Sequence, residues 1–463
     1  MPTRQYIGAR YVPKFATPTE WNNALSYEGL TIVTHLGNSF TSKKPVPAGI
    51  DIANTEYWVN TGNYNAQVEQ YRQEVEHLNT TVSDITKVVD SNNNAIEKYH
   101  KFFEYNAIGD GNSHPLSERY TTISDAKNKY ACAESLTDEI DWCAIQQYII
   151  DSISKKENID IYRADYVLNK GLEIDFTTTS VNVDMSTSTL NFTSDTGITL
   201  HGKKTAPYSE ASNAQPFNIK NVKIIGNGAG SGFICTHYSY FEVNSVEVYG
   251  FHNGFYLNNV DHSIFTHCVA KWCNSGLIGE TSTLVEYTGI NNLTFDSCIF
   301  GNNRTFGAQF TNSANIQMIG CSVESNGTEG SSNTQFGIII TGTGMQGATS
   351  FNLNGCYFEG NKGNGSIIVS NLGINSDTTA TLNVIGCTFN KTAGTAVLSD
   401  IRIEANTNNP IYTNVIGSAF KSYAGYKHRD GDVNIAVFNM DTSYVQTLGT
   451  AFLIASEKPS WVA

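Results

Sequence analysis

Two glutamates, Glu324 and Glu359, hold the same place in a recurring pattern, three residues after a cysteine in CSVESN and CYFEGN. A third carboxylate, Asp296, stands two residues before the equivalent Cys298. Paired carboxylates can divide the labour of glycoside hydrolysis, one as proton donor and the other as base or nucleophile. Retaining enzymes hold the two groups about 5–5.5 Å apart and inverting ones about 6.5–9.5 Å. Side chains rooted on adjacent strands about 4.8 Å apart can splay to either distance, so the stereochemical outcome stays open. Two close carboxylates do not ionise independently, and one of the pair is expected to titrate high. An outward carboxylate row flanked by Lys271 and Lys421 is also what a solvated charged face looks like.

The elements that must position these groups are repeats. The pattern reads LTFDSCIFGNN from Leu293, IQMIGCSVESN from Ile316, FNLNGCYFEGN from Phe351 and LNVIGCTFN from Leu382, with looser copies IFTHCVAKWCN from Ile264 and TNVIGSAF from Thr413. Their Cys or Ser positions are 268, 298, 321, 356, 387 and 418, a period of 23 to 35 residues. Short apolar-alternating runs with Gly and Asn turns at such a period indicate a solenoid of stacked β-coils. Strand side chains alternate, so the Cys and the residue two further on (Phe300, Val323, Phe358, Phe389) should point inward. Positions one and three after Cys should point out. Glu324 and Glu359 then fall on neighbouring rungs, with Tyr357 beside them. Asn303, Asn326 and Asn361, with Asn274 as a near match, form a second column, expected to stack amide on amide at a turn.

Sugar binding would use aromatic faces, and Trp272, Tyr287 and Tyr357 are outward or loop candidates, with Tyr426 beyond them. Core packing is the competing role for each. His252, His262 and His267 beside Lys271 could serve a lyase, but the acidic set of a Ca²⁺ site is missing from their neighbourhood. The sequence has no P-loop, GxSxG or HExxH, so no metal and no cofactor is expected. Nine cysteines without a CxxC pair read as small buried hydrophobes in a reducing compartment.

A formal net charge of −14, with only 16% charged residues, argues against nucleic acid or an anionic membrane and suits a neutral, hydroxyl-rich ligand. No apolar run of about 18 residues exists for a membrane span, so no membrane insertion is expected, and the first residues lack a secretory h-region. Residues 1–65, rich in Tyr, Trp, Pro and Gly, predict a small β module. From Val68 a strict 3,4 spacing follows: Val68, Val75, Val82, Val89, Ile96 and Phe103 at a, and Tyr71, Leu78, Ile85, Asn92 and Tyr99 at d. That predicts a coiled coil over 66–104, with Ile85 and the bulky Tyr residues at d tilting the choice toward three strands. The alternative is an amphipathic helix packed within its own subunit. A second helical stripe, Trp142, Ile145, Ile149 and Ile153, has N-cap chemistry at Thr137 and Asp138.

The stretch from Asn106 to Leu168, with its GDG turn, acidic helix ending AIQ and strand with a Tyr turn, resembles the opening motif of phage tail spikes and pectate-lyase-like proteins. The text from YIGARYVPKFA to WVNTGNYNAQVEQY is similar to the virion-attachment modules of phage tail fibres and receptor-binding proteins. The resemblance implies a mainly β chain with a right-handed parallel β-helix over 166–440. A linker and capping region over 105–165 would precede it, and a C-terminal cap over 441–463 would close it. It also implies a homotrimer, attached to a virion tail or baseplate protein through the N-terminal module, assembled in the host cytoplasm. Its β-helix would recognise host cell-surface polysaccharide, as a depolymerase or as a non-catalytic receptor-binding or structural fibre.

Overall fold

The computed structural model describes residues 19–202, 217–280, 290–328, 335–342, 350–362, 365–371, 380–390, 400–405, 411–420, 424–427, 436–441, 444–445 and 452–455. The chain divides into two units, residues 1–97 and 98–463. In the first, strands Thr19–Glu20, Ile32–His35, Asn38–Ser42 and Trp58–Gly62 form one sheet in chain order. Val33, Val46, Ile52 and Trp58 make its small core, with Tyr27 edge-on to Trp58 at 5.4 Å. The expected β module is present, and its Trp58 and Tyr27 are packing residues.

Helix α1, Tyr64–Phe103, runs for 40 residues. Its stripe of Val68, Tyr71, Val75, Leu78, Val82, Ile85 and Val89 is exposed along the first unit. Between the apolar positions, Arg72 bridges Glu69 at 2.7 Å and Glu76 at 3.3 Å, supporting the helix locally. The last turns behave differently. Phe102 is buried edge-on to Tyr148 at 5.3 Å, and Tyr99 and Phe103 pack on Tyr162 at 5.4 and 5.1 Å. The Tyr99 hydroxyl lies 2.7 Å from that of Ser186, and the Lys98 ammonium bridges Asp184 at 3.0 Å and Asp160 at 3.3 Å. Tyr99 and Phe103, expected in the a/d seam, therefore already pack on Tyr162 in the second unit.

Helix α2, Ile140–Lys155, closes the first coil. Trp142, Ile145 and Ile149 are buried as the stripe requires, with Ile153 half-buried. Its side chains satisfy the open strand edge. Trp142 Nε1 donates to the Gly171 carbonyl at 2.9 Å, and the Gln146 amide both donates to and accepts from the Glu173 backbone, at 2.9 and 2.8 Å. Unpaired edge groups would otherwise invite aggregation. The cap itself departs from expectation: Glu139 is the N-cap and makes no side-chain capping bond. Asp138 instead accepts from the Glu134 and Ser135 amides and pairs with Lys170 at 2.8 Å.

The remainder is a parallel β-helix. From residue 290 each coil has three strands, stacked in register on those of the next coil. The first sheet holds Ile290–Asp296, Ser313–Ile319, Ser350–Asn354, Ala380–Ile385 and Ile411–Ile416. The second holds Val269–Lys271, Ile299–Gly301, Ser322–Glu324, Tyr357–Glu359, Thr388–Asn390 and Ala419–Phe420. The third holds Ser275–Glu280, Phe306–Thr311, Ile338–Gly342, Ile367–Asn371 and Ile401–Ala405.

Each corner between the first and second sheets is a residue at positive φ just before the Cys, or before Ser418 in the last copy: His267, Ser297, Gly320, Gly355, Gly386 and Gly417, at 53 to 61°. A small or glycine residue lowers the cost of that left-handed turn, which explains the small residue of the repeat. Cys268, Cys298, Cys321, Cys356 and Cys387 are buried, and all nine cysteines are free thiols. Burial pushes the Cys273 thiol up to about 11 and raises that of Cys235 further, so these sulfurs are inert hydrophobes. Two residues on, Phe358, Phe389 and Phe420 stack at 4.7 and 4.5 Å, nearly parallel.

The Asn column turns the coil from the second sheet to the third. Asn326 Oδ1 accepts from Asn303 N and Nδ2 at 3.1 and 3.0 Å, and Asn326 Nδ2 donates to Asn361 Oδ1 and the Phe300 carbonyl at 3.1 and 2.9 Å. The next member is Cys273, whose amide donates to Asn303 Oδ1, while Asn274 lies one place beyond the column. Beside this turn runs a glycine column. A Cβ on Gly254, Gly276, Gly307 or Gly337 would fall 2.2–2.7 Å from the carbonyl oxygen of the next rung.

Candidate functional site

The second sheet shows its outer side chains in two rows. One row reads, rung by rung, Tyr249, Lys271, Gly301, Glu324, Glu359 and Asn390. The other reads Glu247, Val269, Ile299, Ser322, Tyr357 and Thr388. Strand alternation places these side chains outside because their neighbours Ala270, Phe300, Val323, Phe358 and Phe389 fill the core. Glu324 and Glu359 are directly paired on adjacent rungs and half-buried, as the sequence predicts.

The two glutamates have different surroundings. Glu359 is held by two donors, the Tyr357 hydroxyl on Oε2 at 2.8 Å and Asn390 Nδ2 on Oε1 at 3.0 Å. Asn390 Nδ2 also reaches the Tyr357 oxygen at 3.0 Å, closing a three-residue network. Glu324 faces the other way along the row. Its Oε1 lies 3.6 Å from Lys271 Nζ, two rungs off, and the intervening residue is Gly301. A Cβ at Gly301 would sit 3.1 Å from Glu324 Cγ and 3.4 Å from Lys271 Cε. The missing side chain thus lets the ammonium and the carboxylate lean together over a notch one rung wide.

Trp272 ends the Lys271 strand and is 64% exposed. It holds a left-handed backbone, φ 55°, at a corner where Asn302, Ser325 and Gly360 take the same conformation on later rungs. For a bulky residue this costs roughly 1–2 kcal/mol, and strain of this kind persists where something over-determines it. The Trp272 ring lies at 5.4 Å and 32° to Tyr249, whose hydroxyl donates to Glu247 at 2.8 Å and whose ring faces Lys223 Nζ at 5.3 Å. Tyr249 was not among the residues singled out from sequence; its place directly before Lys271 in the outer row is the signal that identifies it.

The other candidates separate. Asp296 ends a strand of the first sheet and accepts from the Ser297 hydroxyl at 2.8 Å. The corner at Ser297–Cys298 sets it apart from the glutamate row, so it does not join the pair. Tyr287 lies outside the described residues. His262 stacks on Tyr240 at 4.9 Å and lies 3.0 Å from the Asn292 amide, whereas His252 lies 3.4 Å from the Asn274 amide, so these two histidines stand at different corners. Among the described residues no cluster of three or more His, Cys, Asp or Glu could hold a metal ion. No helix among them is long and apolar enough to cross a membrane.

The sequence model of a family described as "Right handed beta helix region" matches residues 208–389, which agrees with the parallel ladders over that span. No curated protein matches the chain. Among solved structures, the chain is similar to the tailspike protein gp49 from Pseudomonas phage LKA1, at 15% identity and a TM-score of 0.46, covering 75% of this chain and 78% of that one. It is also similar to the ORF18 protein of Geobacillus virus E2, at 16% identity and a TM-score of 0.44, covering 89% and 69%. A third is PfbA, a surface adhesin of Streptococcus pneumoniae, at 10% identity and a TM-score of 0.45, covering 74% and 91%.

Proposed function

We propose that this chain is a phage tail-spike or receptor-binding appendage whose second sheet recognises host cell-surface polysaccharide. The observation that carries the reading is Trp272, held exposed at positive φ over Tyr249, at one end of the row Lys271, Gly301, Glu324, Glu359 and Asn390. An aromatic face supplies apolar contact for a sugar ring. The carboxylates, the Tyr357 hydroxyl and the Asn390 amide supply acceptors and donors for hydroxyls. A hexose residue is about as long as one rung is tall, so a polysaccharide laid along the row can meet these groups in succession. Titration of the assembled protein with host-cell glycan tests this: wild type binds, Trp272→Ala binds at least tenfold more weakly, and equal affinity of the two sinks the reading.

A second reading, endo-glycosidic hydrolysis, is favoured by the adjacent-rung glutamates. Glu359, braced by two donors, suits the base or nucleophile of such a pair, which leaves Glu324 the role of its partner. Release of new reducing ends by wild type, lost in Glu324→Gln and in Glu359→Gln while binding persists, supports hydrolysis. Binding without release leaves a receptor-binding spike.

The exposed a/d stripe of α1 joins three copies in this reading, and residues 1–65 attach the trimer to a tail or baseplate protein. The chain would then be a virion component.

A further inference from the structure

Of the nine cysteines, Cys132 alone is not buried, and it lies against the fully buried Cys143 of α2. Its Sγ is 3.5 Å from the Cys143 carbonyl oxygen, and its backbone N–H donates to Gln147 Oε1 at 3.1 Å. Cys143 and Gln147 stand one turn apart on the same helix face. Two separate contacts therefore dock the Cys132 segment on the wall that carries the Cys143 thiol. The thiols also meet each other. A hydrogen bond to Cys143 holds the Cys132 thiol below its ordinary pKa, and the same contact, together with burial, pushes Cys143 up.

The thiols of the rungs are built otherwise. Cys298, Cys321, Cys356 and Cys387 are sealed in the core, and each donates to a backbone carbonyl of the preceding coil at 3.3–3.4 Å. No oxidant reaches a sulfur enclosed in this way. Cys132 is open to solvent in part and biased toward the thiolate, the reactive form, and a second thiol stands directly behind it.

We infer that Cys132 and Cys143 form a thiol–disulfide site, at which a small-molecule disulfide of the glutathione type closes a bond between them. The Cys132 thiolate attacks one sulfur of the small disulfide, which forms a mixed disulfide and releases one small thiolate. That thiolate takes up the proton Cys132 gave up. The Cys143 sulfur then loses its proton to solvent and attacks the Cys132 sulfur, and the second small thiol leaves. Two protein thiols are oxidised and one small disulfide is reduced to two thiols. The bond ties the Cys132 segment to α2, whose Trp142 and Gln146 cover the open strand edge of the first coil. The loop it closes carries Asp138, already paired with Lys170 at 2.8 Å. Closing that loop restricts the chain whenever α2 comes away, so the site is a redox-controlled lock on the cap.

The test uses the full chain, purified with reductant, freed of it and exposed to oxidised glutathione. The protein is then quenched in acid, denatured and alkylated with N-ethylmaleimide, and its free thiols are counted by mass. The expected result is loss of two of the nine thiols, reversed by dithiothreitol, with Cys132 and Cys143 joined in the peptide map. Cys132→Ser should keep every thiol it has, and Cys143→Ala should stop at a glutathione adduct on Cys132. Wild type that keeps all nine thiols, retains glutathione on Cys132, bonds one chain to another or loses rung thiols overturns the inference. In a second arm that needs no variant, amide exchange over 133–143 should slow by about tenfold or more on oxidation. Exchange that stays as fast overturns the lock.

Discussion

Asn326 is fully buried and makes four side-chain hydrogen bonds, so Asn326→Ala isolates the worth of the turn ladder. Not every partner is orphaned by the change. Asn361 Oδ1 keeps the Asn326 backbone donor at 3.2 Å, and one Asn303 amide hydrogen keeps the Ala270 carbonyl at 3.2 Å. Two donors lose their only acceptor: the Asn303 backbone N–H and the second Asn303 amide hydrogen. Each buried orphan costs about 1–3 kcal/mol, so the variant should be destabilised by about 2–6 kcal/mol. Because a solenoid coil contacts only its neighbours, the loss should concentrate on the rungs from Ile299 to Asn361. The assay is guanidinium unfolding together with amide hydrogen exchange resolved by peptide. Ser322→Ala, an outward change on the same coil, serves as control and should stay within about 0.5 kcal/mol. If Asn326→Ala lowers stability no more than Ser322→Ala, or if exchange quickens evenly along the chain, the ladder is not what holds the turn.

Trp272→Gly should remove about 1–2 kcal/mol of left-handed strain while weakening glycan binding at least tenfold, so denaturant midpoint and affinity should move in opposite directions; a fall in both marks Trp272 as a packing residue. Gly301→Leu should fill the notch between Lys271 and Glu324 and abolish glycan binding with the fold intact by circular dichroism, and retained affinity would show the notch to be idle. Val82→Asp, in the exposed α1 stripe, should shift sedimentation of the full chain toward lower mass, and an unchanged mass would leave assembly to the β-helix alone. His114 sits between Glu118 at 2.8 Å and Asp110 at 3.1 Å, and hydrogen bonds to these carboxylates raise its pKa above the ordinary 6.5. A raised folded-state pKa means that its contribution is complete below pH 6.5 and is lost as pH climbs through the higher folded value. Amide exchange over 110–118 should therefore quicken across that interval in wild type and lose this dependence in His114→Gln.

Much of the solenoid was legible because a repeat writes its own contacts. Residues in the same place on successive rungs become neighbours, so aligning on the Cys gave the buried thiols, the inward phenylalanines and the outward Glu324 and Glu359. The same logic found the Asn stack; the near match Asn274 lies one place beyond it, because the fifth residue after Cys268 is Cys273, through whose amide the column continues. Asp296 was legible as a third carboxylate beside the repeat yet belongs to another sheet, since the left-handed turn at Ser297 intervenes. The glycine column left no periodic apolar signal, because glycine is required there by a carbonyl on the next rung.

By itself the sequence determined the period, the inward and outward faces, the capping helix and the apolar stripe of α1, because all of these follow from local alternation and helical spacing. Only the tertiary structure decided which outward residues act on one another. It leans Lys271 to Glu324 across Gly301, sets Trp272 over Tyr249, and turns Tyr99 and Phe103 away from the helix seam onto Tyr162. Those pairings depend on side chains brought together from separate rungs and elements. Their geometry is fixed by rung stacking and by corner dihedrals that no local pattern encodes.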